Sequence, residues 1–285
     1  MGRRALRGTV TRAVASGEAT LVPDPDLPEG WLLLVDGTQQ SHVDLADPGR
    51  LAFEYMRRIG HVMDLLPPGP LRVVHLGGGA MALARYASQT RPRTRNLVVE
   101  YDAALVALVR AHLPWPREYQ IRVRTAEARA ALESLPDASA DLVILDVFAS
   151  ATTPGNLTSV EAFAHIHRVL DPAGTLVANI ADENPLTYAR RYVAGVRAVF
   201  DFDRVVVTAE PAVLRGRRFG NLVVVAQSPW AEPLDIDALV RRSAGDPWPA
   251  RVVHGVALDA FVGDHPPFTD ATATGSPVPP PGVFG

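Results

Sequence analysis

The stretch Leu71 to Asp102, LRVVHLGGGAMALARYASQTRPRTRNLVVEYD, constrains the fold more than any other part of the chain. An apolar run, Leu71 to Leu76, ends at Gly77-Gly78-Gly79, a helical pattern follows, and a second apolar run, Leu97 to Val99, ends in Glu100. This order predicts a strand, a glycine turn, a helix and a second strand with an acid at its tip.

Glycines adopt positive φ and let a ligand come within contact distance, while the helix that follows presents unpaired N–H groups. A carboxylate at the end of the second strand can accept hydrogen bonds from both hydroxyls of a ribose, and Glu100 follows the glycines at the required spacing of about 20 residues. These features point to a nucleoside. Ala80-Met81-Ala82 departs from G-x-G-x-x-G, and a pyrophosphate needs a longer run of small residues with bare N–H groups. A nucleoside without phosphates, such as S-adenosylmethionine, fits better; a plain strand-to-helix turn with a surface Glu100 is the alternative.

The chain has 285 residues, 47% hydrophobic and 21% charged, enough to bury a large core. It has no cysteine, which excludes disulfides, thiolate nucleophiles and cysteine-ligated zinc. Every basic residue besides histidine is an arginine, so lysine chemistry is excluded as well. No apolar run approaches the roughly 20 residues of a membrane helix, and Met1 to Val22 lacks the apolar segment of a signal peptide. A net charge of −3 gives no sign of a nucleic-acid surface. The expectation is a soluble cytoplasmic protein with no membrane or nucleic-acid partner.

Three regions follow from the pattern. Residues 1-47 are expected to form a small N-terminal antiparallel β unit, with runs at Val10 to Val14, Ala19 to Val22 and Trp31 to Val35, a loop at Pro23 to Pro28, and Asp36-Gly37 as a turn. Residues 48-230 alternate between strands and helices, beginning with a helix over Pro48 to Leu66. Beyond the organising stretch, strands are expected at Ile121 to Val123, at Leu142 to Leu145 with Asp146 at its tip, and at Thr175 to Ile180. Arg204 to Thr208 and Asn221 to Gln227 read as a closing antiparallel pair. The prediction is an α/β fold, a Rossmann-like seven-stranded mostly parallel sheet with helices on both faces. Residues 231-285 supply one helix, Leu234 to Arg242, and a Pro/Gly-rich tail whose last fifteen residues are ordered only if they dock.

In order and spacing, Asp36-Gly37 with Gln40, Gly77-Gly78-Gly79, Val99-Glu100-Tyr101-Asp102, Ala126-Glu127-Ala128 and Asp146 before Leu157-Thr158-Ser159 resemble the spermidine synthase family over roughly residues 30 to 228. The resemblance implies the class I S-adenosylmethionine transferase fold, S-adenosylmethionine or decarboxylated S-adenosylmethionine as donor, and a small-molecule acceptor. It also implies a homo-oligomer, dimer or tetramer, built through the N-terminal strands. Carried over by position, Gln40 reaches the nucleoside, Glu100 holds the ribose, Glu127 takes the adenine amino group, and Asp146 is the first Asp of the family's Asp-Ser-Ser-Asp-Pro loop. Two family aspartates are absent: Ala80 stands where an Asp after the glycines holds the ammonium of the aminopropyl donor, and Ala149 where the second Asp of the loop helps deprotonate the attacking amine. A diamine is cationic at neutral pH, and burying a cation without a partner costs several kcal/mol, so true spermidine synthesis is disfavoured.

Other candidate chemistry is thinner. His165 and His167 sit two apart on an expected helix, pointing to different faces, so no metal site is expected. His42, two residues past Gln40, is a candidate base near neutral pH, with a surface loop histidine as the alternative. His75 is expected to be a core residue satisfied by a neighbour, and Tyr55 and Arg58 are candidates to face the acceptor pocket, with helix packing as the alternative for Tyr55. Asp182-Glu183 lie at the functional edge of the sheet and either replace the missing carboxylates or cap the helix that begins at Pro185. Thr269-Asp270 resembles a Thr-Asp near the C-terminus of related proteins and either folds over the pocket or belongs to a loose tail. Three readings stay open: an aminopropyltransferase-like alkyl transferase, an S-adenosylmethionine-dependent methyltransferase, and a non-catalytic nucleoside-binding or assembly protein.

Overall fold

The structure is a computed structural model that describes residues 8–148, 152–200 and 202–280. Strands β1 (Val10–Val14), β2 (Gly17–Pro23), β3 (Gly30–Val35) and β4 (Thr38–Asp44) form an antiparallel sheet in that order. Asp36 and Gly37 join β3 to β4 with φ of 47° and 76°. Two consecutive positive-φ residues make the mirror-image turn whose twist matches that of the strands it joins. The register passes from Leu34 opposite Gln39 to Leu33 opposite Ser41, so β4 bulges at Gln40.

The larger unit runs α1 (Glu54–Leu65), β5 (Arg72–Leu76), α2 (Ala82–Thr90), β6 (Arg95–Glu100), α3 (Ala103–His112), β7 (Ile121–Thr125), α4 (Ala128–Ser134), β8 (Ala140–Leu145), α5 (Val160–Val169) and β9 (Leu170–Asp182). It continues through α6 (Thr187–Val199), β10 (Val205–Ala209), α7 (Pro211–Leu214), β11 (Gly220–Gln227), α8 (Ile236–Ala244), β12 (Arg251–Val253) and α9 (Gly255–Val262). The sheet order is β12-β10-β11-β9-β8-β5-β6-β7. Strands β5 to β9 pair in parallel, and β11 and β12 run against their neighbours.

The sheet has eight strands, not the expected seven. The additional one, β12, pairs three residues with the exposed side of β10 from within a segment read as tail. Three residues carry no periodicity of their own, so only tertiary pairing creates this strand.

Alternate residues of the central strands bury into two cores. Val74, Leu76, Val143 and Leu145 pack with Phe163, Tyr192 and Leu258 on the α4, α5, α6 and α9 side. Val73, Leu142 and Ile144 pack with Ile59, Leu83, Leu108 and Leu239 on the α1, α2, α3 and α8 side, where Leu21 and Leu33 of the N-terminal sheet join them. Near-continuous apolar strands are what burial on both faces requires.

The C-terminal segment docks as far as the structure describes it. Ser276 exchanges hydrogen bonds with Thr153, its Oγ accepting from the Thr153 N–H at 2.9 Å and its N–H donating to the Thr153 carbonyl at 3.1 Å. Phe268 is buried, and Asp270 pairs with Arg129 at 3.1 Å and accepts from the Ser159 hydroxyl. Among the described residues, no helix is long and apolar enough to cross a membrane.

Candidate functional site

Strands leave in opposite lateral directions from β5 and β8, so the crevice outside their carboxyl ends is the switch point where ligands bind in open α/β sheets. Gly77 ends β5 there with φ of 93°, and a Cβ built on it would lie 2.1 Å from the carbonyl oxygen of Asp146. Only glycine lets the two strand ends converge this closely. Gly77 donates to the Val99 carbonyl and Asp146 donates to that of Leu76, both at 2.9 Å, which locks β5, β6 and β8 together at their tips.

A cavity of about 670 Å³ opens over these tips. That volume lies within the range of small-molecule sites. Gln40, Gly77, Gly78, Gly79, Glu100, Glu127 and Asp146, drawn from five separate segments, all line it.

Glu100, buried at the end of β6, is held by backbone: the Gly78 N–H donates to Oε2 at 2.9 Å and the Asp102 N–H to Oε1 at 3.1 Å. Each oxygen keeps a further acceptor site, so the carboxylate is fixed yet able to take a pair of hydroxyls. Asp102 caps α3 by accepting from Ala104 and Leu105, and its second oxygen accepts from the N–H and hydroxyl of Ser16 at 2.9 and 3.0 Å. The turn between β1 and β2 is thereby tied to the rim of the cavity. Glu127 caps α4 with bonds from Arg129 and Ala130, and accepts from Asn156 Nδ2 at 3.3 Å.

Asp146 sits beyond β8. Asn179 Nδ2 donates to its Oδ1 at 2.9 Å, and the Tyr55 hydroxyl supplies a further hydrogen bond. Asp146 keeps some surface toward the cavity, yet the dense protein around it strips enough hydration to raise its carboxyl to about 6, against the lowering effect of the two donors. Burial and then the neighbouring Asp146 hold the Tyr55 phenol well above its ordinary value, so it remains the donor.

The other sequence candidates lie elsewhere, except His75, which is on the cavity wall. His42 is outside the cavity lining, and its Nε2 meets Asp24 Oδ2 at 2.8 Å. The bulge at Gln40 accounts for this, because an extra residue reverses the alternation that would otherwise place Gln40 and His42 on one face. Asp182 is also outside the cavity; its oxygens accept from the Glu183 and Ala189 N–H groups at 2.8 Å each, the capping alternative for this residue. Asp270 fastens α5 rather than lining the cavity. Ala149 falls outside the described residues. His75 hydrogen-bonds Asn96 at 2.9 Å, and burial lowers it to about 4. His165 approaches Glu133 while His167 meets Phe200 edge to face, so the two rings diverge.

Sequence reasoning missed Ser16, Ser41, Asn179, Arg218, Asn221 and Trp248, which line the cavity as well. Asn179 alone left a trace, as a polar residue within the apolar run Thr175 to Ile180.

Residues 74–178 match the family described as "Methyltransferase domain". The crystal structure of a probable spermidine synthase from Corynebacterium glutamicum is 35% identical, with a TM-score of 0.86 over 93% of this chain and 97% of that one. A spermidine synthase crystallised with the transition state analogue AdoDATO is 15% identical, with a TM-score of 0.58 over 92% of this chain and 82% of that one, a likeness of fold. The polyamine aminopropyltransferase of Chromobacterium violaceum is 26% identical over 142 residues, 50% of this chain and 54% of that protein. The chain spans about half the length of the curated relatives it matches.

Proposed function

Because this chain belongs to the spermidine synthase-like family of the class I S-adenosylmethionine fold, we propose that it is a transferase that binds S-adenosylmethionine or its decarboxylated form and moves an alkyl group to a small acceptor. The observation that carries the reading is the single cavity in which the backbone-held Glu100 and the Tyr55–Asp146–Asn179 group occur together. One fixed acid suits a ribose, and the other, perturbed toward neutrality, suits proton transfer.

The cavity fits a nucleoside donor. Ser41 lies beside Gly79 on the wall and its buried Oγ has no hydrogen-bond partner, which a polar ligand group would satisfy. In this reading Glu100 holds the ribose hydroxyls, Gln40 and Glu127 contact the nucleoside from opposite rims, and the turn at Gly77 to Gly79 lets the ligand approach the backbone. The donor, when bound, supplies an electrophilic carbon attached to a sulfonium, whose leaving group is neutral. Little is then required of side chains beyond alignment and exclusion of water.

Asp146 is the base. Tyr55 and Asn179 orient its carboxylate, and a carboxyl near 6 takes a proton more readily than one near 4 while being ionised at neutral pH. The proton of the attacking group passes to Asp146 as that group bonds to the donor carbon. Ala80, fully buried, provides no carboxylate for the ammonium of an aminopropyl donor, which counts against the decarboxylated form. We carry the homo-oligomer and the cytoplasmic setting as part of the same proposal.

Titration calorimetry of the purified protein with S-adenosylmethionine, and separately with the decarboxylated compound, tests this. One-to-one binding of either supports the transferase, and the tighter of the two names the donor. Binding of neither would leave a retained fold without the inherited chemistry.

A further inference from the structure

Beyond Asp146 the cavity is lined by residues that the nucleoside does not need, Glu54, Arg218 and Trp248 among them. Arg218 pairs with Glu210, lies 3.6 Å from Glu54 and donates to the Phe219 carbonyl at 3.3 Å. Arg58, buried behind this wall, lies 3.5 Å from the same Glu54. Two guanidinium groups and two carboxylates cancel there, and the neighbouring Arg57 is engaged by Asp246 at 2.8 Å. Asp146 is the charge that remains. Among the described residues it has no guanidinium partner, and its two side-chain donors, Asn179 and Tyr55, are neutral.

A count of hydrogens narrows what can sit against Asp146. Asn179 is fully buried on the cavity wall, and the amide that gives its Nδ2 to Asp146 leaves its Oδ1 without a hydrogen-bond partner. A carboxylate and an unpaired amide oxygen therefore lie side by side, with the Tyr55 hydroxyl already committed as a donor. A hydroxyl brings one hydrogen and serves only one of these acceptors, and a carboxylate brings none. An ammonium brings three. The surrounding surface is aromatic: Phe53, Tyr55 and Trp248 contribute rings, with Phe53 and Tyr55 6.2 Å apart. Aromatic faces attract a cation and take a flat apolar body at little entropic cost.

Resting on the donor-site reading above, we propose that the acceptor is a primary monoamine with an aromatic body, its ammonium held between the Asp146 carboxylate and Asn179 Oδ1 and its ring against Phe53 and Trp248. Glu54 and Glu210 are taken up by the two arginines, so the second ammonium of a diamine would be desolvated in this half without a partner. In the transfer one N–H proton passes to the Asp146 carboxylate, and the lone pair this frees on nitrogen bonds to the donor carbon. The carbon–sulfur bond breaks with its electron pair remaining on sulfur as a neutral thioether, and the product is a secondary ammonium.

The test uses the full chain at pH 8, first titrated with S-adenosylhomocysteine and then, in its presence, with 2-phenylethylamine, 2-phenylethanol, 3-phenylpropionate and 1,4-diaminobutane. The expected result is that 2-phenylethylamine binds ten-fold or more tightly than each of the other three. Its N,N-dimethyl derivative, which keeps the charge but has a single N–H, is expected to bind more weakly than the primary amine. Asp146→Asn is expected to weaken the primary amine ten-fold and to leave the alcohol unchanged, while S-adenosylhomocysteine still binds. Equal or tighter binding of the alcohol, the carboxylate, the diamine or the dimethyl derivative would overturn the inference. So would a loaded protein that does not bind 2-phenylethylamine, or an Asp146→Asn variant with unchanged affinity for it. Failure of S-adenosylhomocysteine to bind the parent protein would instead strike the donor-site reading on which the inference rests.

Discussion

Asp146→Asn is expected to stabilise the protein at pH 8 and to leave it unchanged at pH 4. The Asp146 carboxyl titrates near 6 in the folded chain against an ordinary value of 3.8, with burial as the leading cause. Between those two values the unfolded chain has lost this proton and the folded chain retains it, so stability falls as pH rises through the window and levels off above 6. A shift of about two units corresponds to about 3 kcal/mol. Water reaching Asp146 from the cavity reduces this, so about 1–3 kcal/mol is the working range. Asparagine keeps the shape and can still accept from Asn179, but it carries no charge to desolvate. Denaturant unfolding of both proteins at pH 4, 5, 6, 7 and 8 reads the difference directly, and the raised Asp182 cancels because both proteins carry it. Transfer activity falls in the same variant if Asp146 is the base. A difference in stability that is constant with pH, or an Asn variant less stable than the parent at pH 8, would refute the reasoning.

Further expectations follow from the same geometry. Glu100→Ala removes a charged acceptor and should weaken donor binding by roughly 1.5–3 kcal/mol, ten-fold or more by calorimetry; unchanged affinity would move the ribose away from the tip of β6. Gly77→Ala places a Cβ 2.1 Å from the Asp146 carbonyl at positive φ, and should cost on the order of 2–3 kcal/mol in denaturant unfolding. Tyr55→Phe removes a donor to the ionised Asp146, so the acid limb of a rate–pH profile should move upward from about 6; a downward shift would contradict the assigned hydrogen bond.

The part of the site most legible from the residues themselves is the one written in a single continuous stretch, whereas Gln40 and Glu127 were reached through the family resemblance. The turn at Gly77 to Gly79 and the acid at Glu100 are 21 residues apart from the last glycine, and strand, helix and strand periodicities lie between them. The acceptor half was legible only at Tyr55, because its other residues come from distant segments: Glu54 opens α1, Asn179 sits within β9, Asn221 is the second residue of β11, and Trp248 lies between α8 and β12. No spacing rule connects such positions; the sheet does. His42 illustrates a different failure. Strand alternation carries it to the face of Gln40, and a single extra residue in the ladder turns it to Asp24 instead. Likewise β12 has no pattern of its own and exists because β10 offers an unpaired edge.

The central claim is that the cavity over the tips of β5, β6 and β8 is the donor site. A crystal structure of the protein with S-adenosylmethionine tests it most directly. The predicted result is a nucleoside in that cavity with both ribose hydroxyls on the Glu100 carboxylate and the sulfonium on the Asp146 side. A nucleoside bound elsewhere, or one whose ribose makes no contact with Glu100, would contradict the account.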